Sequence, residues 1–138
     1  MTEEPRVKVA AIDDDDAVLE MYETGLGAAG FELRTFSDPK LARTFFAGAR
    51  SAEMPDVILM DIKMPDLDGI TLMNEIRAMD AAAHIPILAV SILAAAMTVS
   101  DARLFGAMDY IEKPFNLLAL TDKINLAAEI SRKRAPKA

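Results

Sequence analysis

The sequence contains no cysteine. Disulfides and thiol chemistry are therefore excluded, and the composition is compatible with a reducing compartment. It contains a single histidine, His84. One imidazole has no second histidine with which to hold a soft metal and no partner for a catalytic dyad, so His84 reads as an ordinary loop residue ahead of a strand. Positive charge is scarce as well: 15 Lys and Arg stand against 22 Asp and Glu, a formal net charge of −7. That balance disfavours nucleic acid and anionic membrane as partners. No apolar run is long enough to span a bilayer, and the opening MTEEPR is acidic and polar, unlike a signal peptide. The expectation is a soluble cytoplasmic protein with no membrane and no nucleic-acid partner.

What is present suits one domain. The chain has 138 residues, 52% of them hydrophobic and 27% charged, enough to bury a core without a metal or disulfide staple. Residues 1–5 read as a flexible N-terminal tail, 6–130 as the domain, and 131–138 (SRKRAPKA) as a basic C-terminal tail or linker stub. RVKVAAI (6–12) is β-branched and stops abruptly at aspartates, the pattern of a strand. Residues 16–30 place Val18, Met21, Tyr22, Leu26 and Ala29 at helical spacing, with Gly30 after the last turn and Asp15 or Asp16 as cap. FELRTF (31–36) alternates as a strand does. Residues 37–50 open with a cap residue and an early proline, and set Leu41 and Phe45 on one helical face.

DVILMD (56–61) and IPILAVS (85–91) are continuous apolar runs, as expected of strands covered on both faces. Between them, residues 68–80 read as a helix with Leu72, Met73, Ile76 and Met79 inward. Residues 97–107 read as a weaker helix, 108–115 as a short strand cut off by Pro114, and 116–130 as a final helix with Leu117, Leu120, Ile124 and Ala127 spaced for burial. Five strands alternating with five helices predict an α/β protein with one doubly wound parallel sheet. Such a sheet gathers all its strand carboxyl ends on one edge, where ligands bind at the point of strand-order reversal.

The polar residues fall at that edge. The first strand hands over to Asp13 and Asp14, the third ends in Asp61, the fourth ends in Ser91, and Lys113 follows the fifth. Three clustered carboxylates repel, which raises the pKa of at least one unless a cation relieves the site. With no cysteine and one histidine, the donors are hard oxygens and point to Mg²⁺, an ion that keeps several waters and takes one or two carboxylates plus a phosphate oxygen. Mg²⁺, an ammonium and a hydroxyl around one carboxylate suit phosphoryl transfer, because together they neutralise charge on the equatorial oxygens.

Four blocks, in order and at matching spacing, carry a family resemblance: AIDDDDAVLEMY, PDVILMDIKMPDLDG, IPILAVS and GAMDYIEKPF. The chain resembles a receiver domain of the two-component response regulators over about residues 6–130. The resemblance implies a flavodoxin-like sheet of order 2-1-3-4-5. It also implies that Asp61 takes a phosphoryl group from a phosphohistidine on a histidine kinase or histidine phosphotransfer protein. Asp14 and Asp61 would ligate Mg²⁺ (Mn²⁺ substituting) with the backbone carbonyl of Lys63, and Asp13 would hold a metal-bound water. Lys113 would pair with the acceptor carboxylate and then a phosphoryl oxygen, Ser91 would bond another oxygen, and Tyr110 would swing inward as Ser91 moves. The Lys113–Pro114 bond is cis in the family. The protein would be a switch that catalyses only its own phosphorylation and dephosphorylation and signals to a downstream protein effector. The resemblance allows a homodimer through the fourth helix, fifth strand and fifth helix, although no distinctive pairing pattern appears.

Two positions depart from the family pattern. Ile92 follows Ser91 where a small residue is usual, and Lys63 lies two residues past Asp61 on the route of attacking water. Together they predict slow labelling by small phosphodonors and a long-lived phosphoryl state, with Ile92→Ala labelling faster. Plainer readings also apply. Asp15 and Asp16 suit capping and solvation, Asp66 and Asp68 suit turn geometry, and the methionines suit core filling, with Met97 and Met108 as alternatives for a partner face. Two rival functions remain open at this level. One is an aspartyl-phosphate phosphatase using Asp13 and Asp15 as a D-x-D pair, though it leaves Asp61 and EKPF unexplained. The other is a receiver-like scaffold that works without phosphorylation.

Overall fold

A computed structural model describes residues 6–62, 69–91 and 107–134. The chain alternates β1 (Lys8–Ile12), α1 (Asp16–Ala28), β2 (Glu32–Phe36), α2 (Pro39–Gly48), a 3₁₀ turn (Ser51–Glu53), β3 (Val57–Asp61), α3 (Gly69–Arg77), β4 (Ile87–Ser91), β5 (Asp109–Glu112) and α4 (Leu117–Arg134). All pairings are parallel and the strand order is β2-β1-β3-β4-β5. The expected order is thus the observed one. Four α-helices occur among the described residues; the helix expected over 97–107 falls almost wholly outside them.

Strand alternation divides the core between the two faces. Ala10, Ile12, Ile58, Met60, Ile87 and Ala89 face α2 and α3, where Phe46, Leu72, Met73 and Ile76 cover them. Val9, Ala11, Val57, Leu59, Leu88 and Val90 face α1 and α4, under Leu19, Tyr22, Leu26, Leu120, Ile124 and Ala127. β3 and β4 are buried at every position, which is why their sequences are unbroken apolar runs rather than alternating ones.

Helix ends follow local chemistry. The Asp15 carboxylate accepts the Ala17 N–H at 2.9 Å and Asp38 accepts the Lys40 N–H at 2.9 Å, so each is an N-cap. Gly30, at φ 98°, supplies the left-handed residue after α1 and lets the Phe31 N–H return to the Leu26 carbonyl at 3.1 Å.

The structure corrects four sequence readings. α2 turns Pro39, Ala42 and Phe46 inward, not Leu41 and Phe45; Leu41 is 60% exposed and Phe45 is half-buried. On α1, Met21 lies outside and Leu19 takes the inner place. Leu117 is exposed at the start of α4. The supposed tail from 131 begins as helix: α4 runs to Arg134, buries Ser131 and brings Arg132 to 3.6 Å from Asp56. Its last turn carries Arg132, Lys133 and Arg134, cations placed where the helix dipole is negative. Residues 1–5 and 135–138 lie outside the described chain.

Candidate functional site

The strand order reverses between β1 and β3, so the crevice that binds ligands in open α/β sheets lies at their carboxyl ends. β1 hands Asp13 and Asp14 to that point, and β3 ends there in Asp61. A carboxylate oxygen of each lies within 4.8 Å of one on both others. Asp13 and Asp61 are buried, at 1% and 7% exposure, while Asp14 stands open to solvent at the mouth.

The acidic run Asp13–Asp16 divides its labour. Asp13 Oδ1 accepts the Asp15 N–H at 2.9 Å, and Oδ2 accepts Lys113 Nζ at 2.5 Å. Its own N–H donates to the Phe36 carbonyl at 3.1 Å. Asp15 turns away to cap α1, and Asp16 sits exposed in the first turn of that helix, where the dipole favours negative charge. Four like charges in a row are tolerated because only Asp13 and Asp14 enter the site.

Lys113 bridges the two buried carboxylates. Its ammonium lies 2.5 Å from Asp13 and 3.8 Å from Asp61, with the side chain 12% exposed. The resemblance led to the acceptor carboxylate as its partner; the structure places it nearer Asp13. The reason is local: the Asp15 N–H takes Oδ1 of Asp13, which turns Oδ2 toward the ammonium. A buried pair of this kind is costly to break, because removal of one partner leaves an uncompensated charge.

β4 and β5 complete the rim. Ser91 is 2% exposed at the end of β4. Its carbonyl accepts both the Lys113 N–H at 2.9 Å and the Tyr110 hydroxyl at 3.3 Å. Tyr110 is half-buried on β5, and burial, with a smaller contribution from the Glu112 carboxylate, raises its phenol pKa. The Lys113–Pro114 bond is cis, as the resemblance implied. His84 sits in the turn before β4, at the opposite edge of the sheet from the site. Lys63, Asp66, Asp68, Ile92 and Met97 fall outside the described residues.

Two residues beside the site escaped the sequence reading. Gly69, the first residue of α3, donates its N–H to the Ile62 carbonyl at 2.7 Å and passes directly behind Asp61. A Cβ there would stand 2.1 Å from the Asp61 carbonyl oxygen. Its signal was the glycine closing MPDLDG. Tyr22, on α1, was read as an inward-facing residue, but nothing in helical spacing showed what it lies against. It is 1% exposed, and burial first, then the charges of Asp13 and Asp61, hold its phenol far above the ordinary 10.

That shift has a signed consequence. In the fold Tyr22 keeps its proton, whereas the unfolded chain loses it above pH 10, so the linked stability is intact below pH 10 and is lost as pH rises further. Tyr22→Phe is expected to shed stability less steeply there, by about 1.4 kcal/mol per pH unit. Urea unfolding on either side of pH 10 checks it; equal slopes for the two proteins would refute it.

A doubly wound parallel sheet with three carboxylates and a lysine at its switch point defines an α/β protein of the flavodoxin-like class. Within that class the chain belongs to the response regulator receiver domain family, whose family model matches residues 9–125. It is a receiver domain of the two-component systems. It is 42% identical over 125 residues to the transcriptional regulatory protein PrrA of Mycobacterium bovis, covering 87% of this chain and 48% of PrrA. It is 34% identical over 122 residues to the regulatory protein AtoC of Escherichia coli, covering 88% of this chain and 24% of AtoC. The chain thus spans about half, or less, of the length of these relatives. Among solved structures it is similar to the receiver domain of the sensor histidine kinase PA1611 of Pseudomonas aeruginosa, which has a magnesium ion coordinated in its active site cleft. That likeness has a TM-score of 0.79 and 25% identity, and covers 91% of this chain and 99% of that one.

Proposed function

We propose that this receiver domain takes a phosphoryl group onto Asp61 in a Mg²⁺-dependent reaction and thereby switches its binding to a downstream protein. The observation that carries this reading is the convergence of Asp13, Asp14 and Asp61 within 4.8 Å, with Lys113 reaching two of them. The donor set fits the ion: it is all oxygen, with no sulfur or imidazole, and one of its carboxylates opens to solvent as an ion that retains waters requires. Asp14, Asp61 and the Lys63 carbonyl would hold Mg²⁺ or Mn²⁺, and Asp13 would hold it through a water. When bound, the ion neutralises charge on the phosphoryl oxygens.

The chain's own groups do the rest. A carboxylate oxygen of Asp61 forms a bond to phosphorus while the phosphorus–nitrogen bond of the donor phosphohistidine breaks, and the nitrogen leaves with the bonding pair. Lys113 shifts its ammonium toward a phosphoryl oxygen, and the Ser91 hydroxyl donates to another. Tyr110 already touches the Ser91 carbonyl, so movement at Ser91 reaches the surface of β5. The donor is a histidine kinase or histidine phosphotransfer protein, and the receiver of the signal is a protein effector. A homodimer through β5, α4 and the segment 97–107, read from sequence as the helix between β4 and β5, is a further output. The setting is cytoplasmic; among the described residues no helix is long and apolar enough to cross a membrane.

The site favours this over both rivals. In the phosphatase reading Asp13 attacks and Asp15 is the acid, but Asp13 has both oxygens engaged and Asp15 caps α1. A phosphorylation-independent scaffold has no need of an assembled acidic site. In the test, Mg²⁺ is added to the protein alone and thermal unfolding is followed. At tenfold excess over its dissociation constant the ion should stabilise the fold by about 1.4 kcal/mol, and Asp14→Ala should lose the effect. With Mg²⁺ and acetyl phosphate the chain should gain one phosphoryl mass; no gain would remove the proposal.

A further inference from the structure

Lys113 sits on neither strand nor helix: β5 ends at Glu112 and α4 begins at Leu117. A long flexible side chain on a connecting loop is a poor way to hold a charge between two carboxylates, unless the loop itself is anchored. Its backbone is tied on the near side by the Lys113 N–H to the Ser91 carbonyl at 2.9 Å. On the far side the anchor is α1. The ring of Phe115, two residues past Lys113, stacks on the ring of Tyr22 with centroids 5.7 Å apart and planes 13° from parallel.

One turn further along α1, Leu117 packs over Gly25 so closely that a Cβ there would stand 2.7 Å from Leu117 Cδ2. Residues three apart share a helix face, so Tyr22 and Gly25 form one seat for the segment after Lys113. The same helix starts directly behind Asp13, Asp14 and Asp15.

We propose that Tyr22 is a positioning residue for Lys113: its ring clamps Phe115 to α1, so that one rigid helix registers the ammonium against the carboxylates. Tyr22 touches no substrate and acts only through the loop. Its effect on phosphoryl transfer rests on the reading of Asp61 as acceptor, whereas its effect on the ammonium does not.

Two readouts on the full chain therefore separate the two ideas. The first is the ¹⁵N signal of the Lys113 ammonium in protein without phosphodonor, where the buried pair with Asp13 should keep it visible. It should broaden away in Tyr22→Leu, which removes the stack, and persist in Tyr22→Phe, which keeps the ring. The second is the rate of labelling by acetyl phosphate with Mg²⁺. Tyr22→Leu should label about tenfold more slowly, because small misplacements of a catalytic group are costly, and Tyr22→Phe should restore the rate. In a Lys113→Ala background Tyr22→Leu should add no further slowing.

Phe115→Leu removes the same stack from the other side and should reproduce both results if Tyr22→Leu fails to fold. An intact ammonium signal in the leucine variants, or slowing of equal size without Lys113, overturns the inference. An altered signal in a protein that never accepts phosphate would sink the acceptor reading and leave the clamp standing.

Discussion

Asp61→Asn is expected to fold and to take up no phosphoryl group from acetyl phosphate and Mg²⁺. An amide oxygen carries no charge with which to attack phosphorus, so the loss should be complete rather than partial. The fold should survive because Lys113 keeps its nearer partner, Asp13 at 2.5 Å, and gives up only the 3.8 Å contact. Removing one of three crowded carboxylates also relieves repulsion, so the variant should be at least as stable as the parent without Mg²⁺. Intact mass after incubation with donor, beside thermal unfolding, reads both outcomes. A full phosphoryl mass on Asp61→Asn, lost only when Asp13 is also replaced, would revive the phosphatase reading.

Gly69→Ala carries the largest expected cost in stability. The added methyl meets backbone: the Asp61 carbonyl oxygen at 2.1 Å, Ile62 Cα at 2.7 Å and the Asp61 carbonyl carbon at 3.0 Å. No side chain can rotate out of the way, so α3 must back off from the end of β3. Overpacking of this kind costs about 3 kcal/mol or more, a large part of the about 5–15 kcal/mol that holds a domain together. The displacement falls on Asp61, so if Asp61 is the acceptor as proposed, surviving protein should also label slowly. Gly27→Ala is the control. A Cβ there meets nothing within 4 Å, and alanine in place of a helical glycine should stabilise by about 0.5–1 kcal/mol. Urea midpoints for the two variants should move in opposite directions; a neutral Gly69→Ala would contradict the packing described.

The sequence and the structure agree best where a signal is local and strong. β3 and β4 were legible because a strand covered on both faces is apolar at every position, so no phase has to be chosen. The caps were legible to within a residue, Asp15 or Asp16 for α1 and an unspecified residue ahead of Pro39 for α2, because a capping carboxylate satisfies an N–H group only two residues away, as Asp15 and Asp38 do. α2 was misjudged for the opposite reason. Leu41 and Phe45 are the larger apolar pair, but Pro39, Ala42 and Phe46 form the adjacent stripe, and contact with β2 and α3 decides which stripe is buried. Likewise the basic residues after 130 looked like a tail, because nothing local shows that Ser131 packs inward and Arg132 approaches Asp56, some 76 positions earlier in the chain.

By itself the sequence determined the alternation of the described strands and helices, the carboxylates at the strand ends and, through four spaced blocks, the family. Those properties reside in neighbouring residues, in periodicity, and in the types of side chain at strand ends. Tertiary structure alone decided that Lys113 leans on Asp13 across 100 positions, that Phe115 stacks on Tyr22, and that Gly69 passes against the Asp61 backbone. Strand order and register set those encounters, and register is a property of paired segments that neither segment encodes alone.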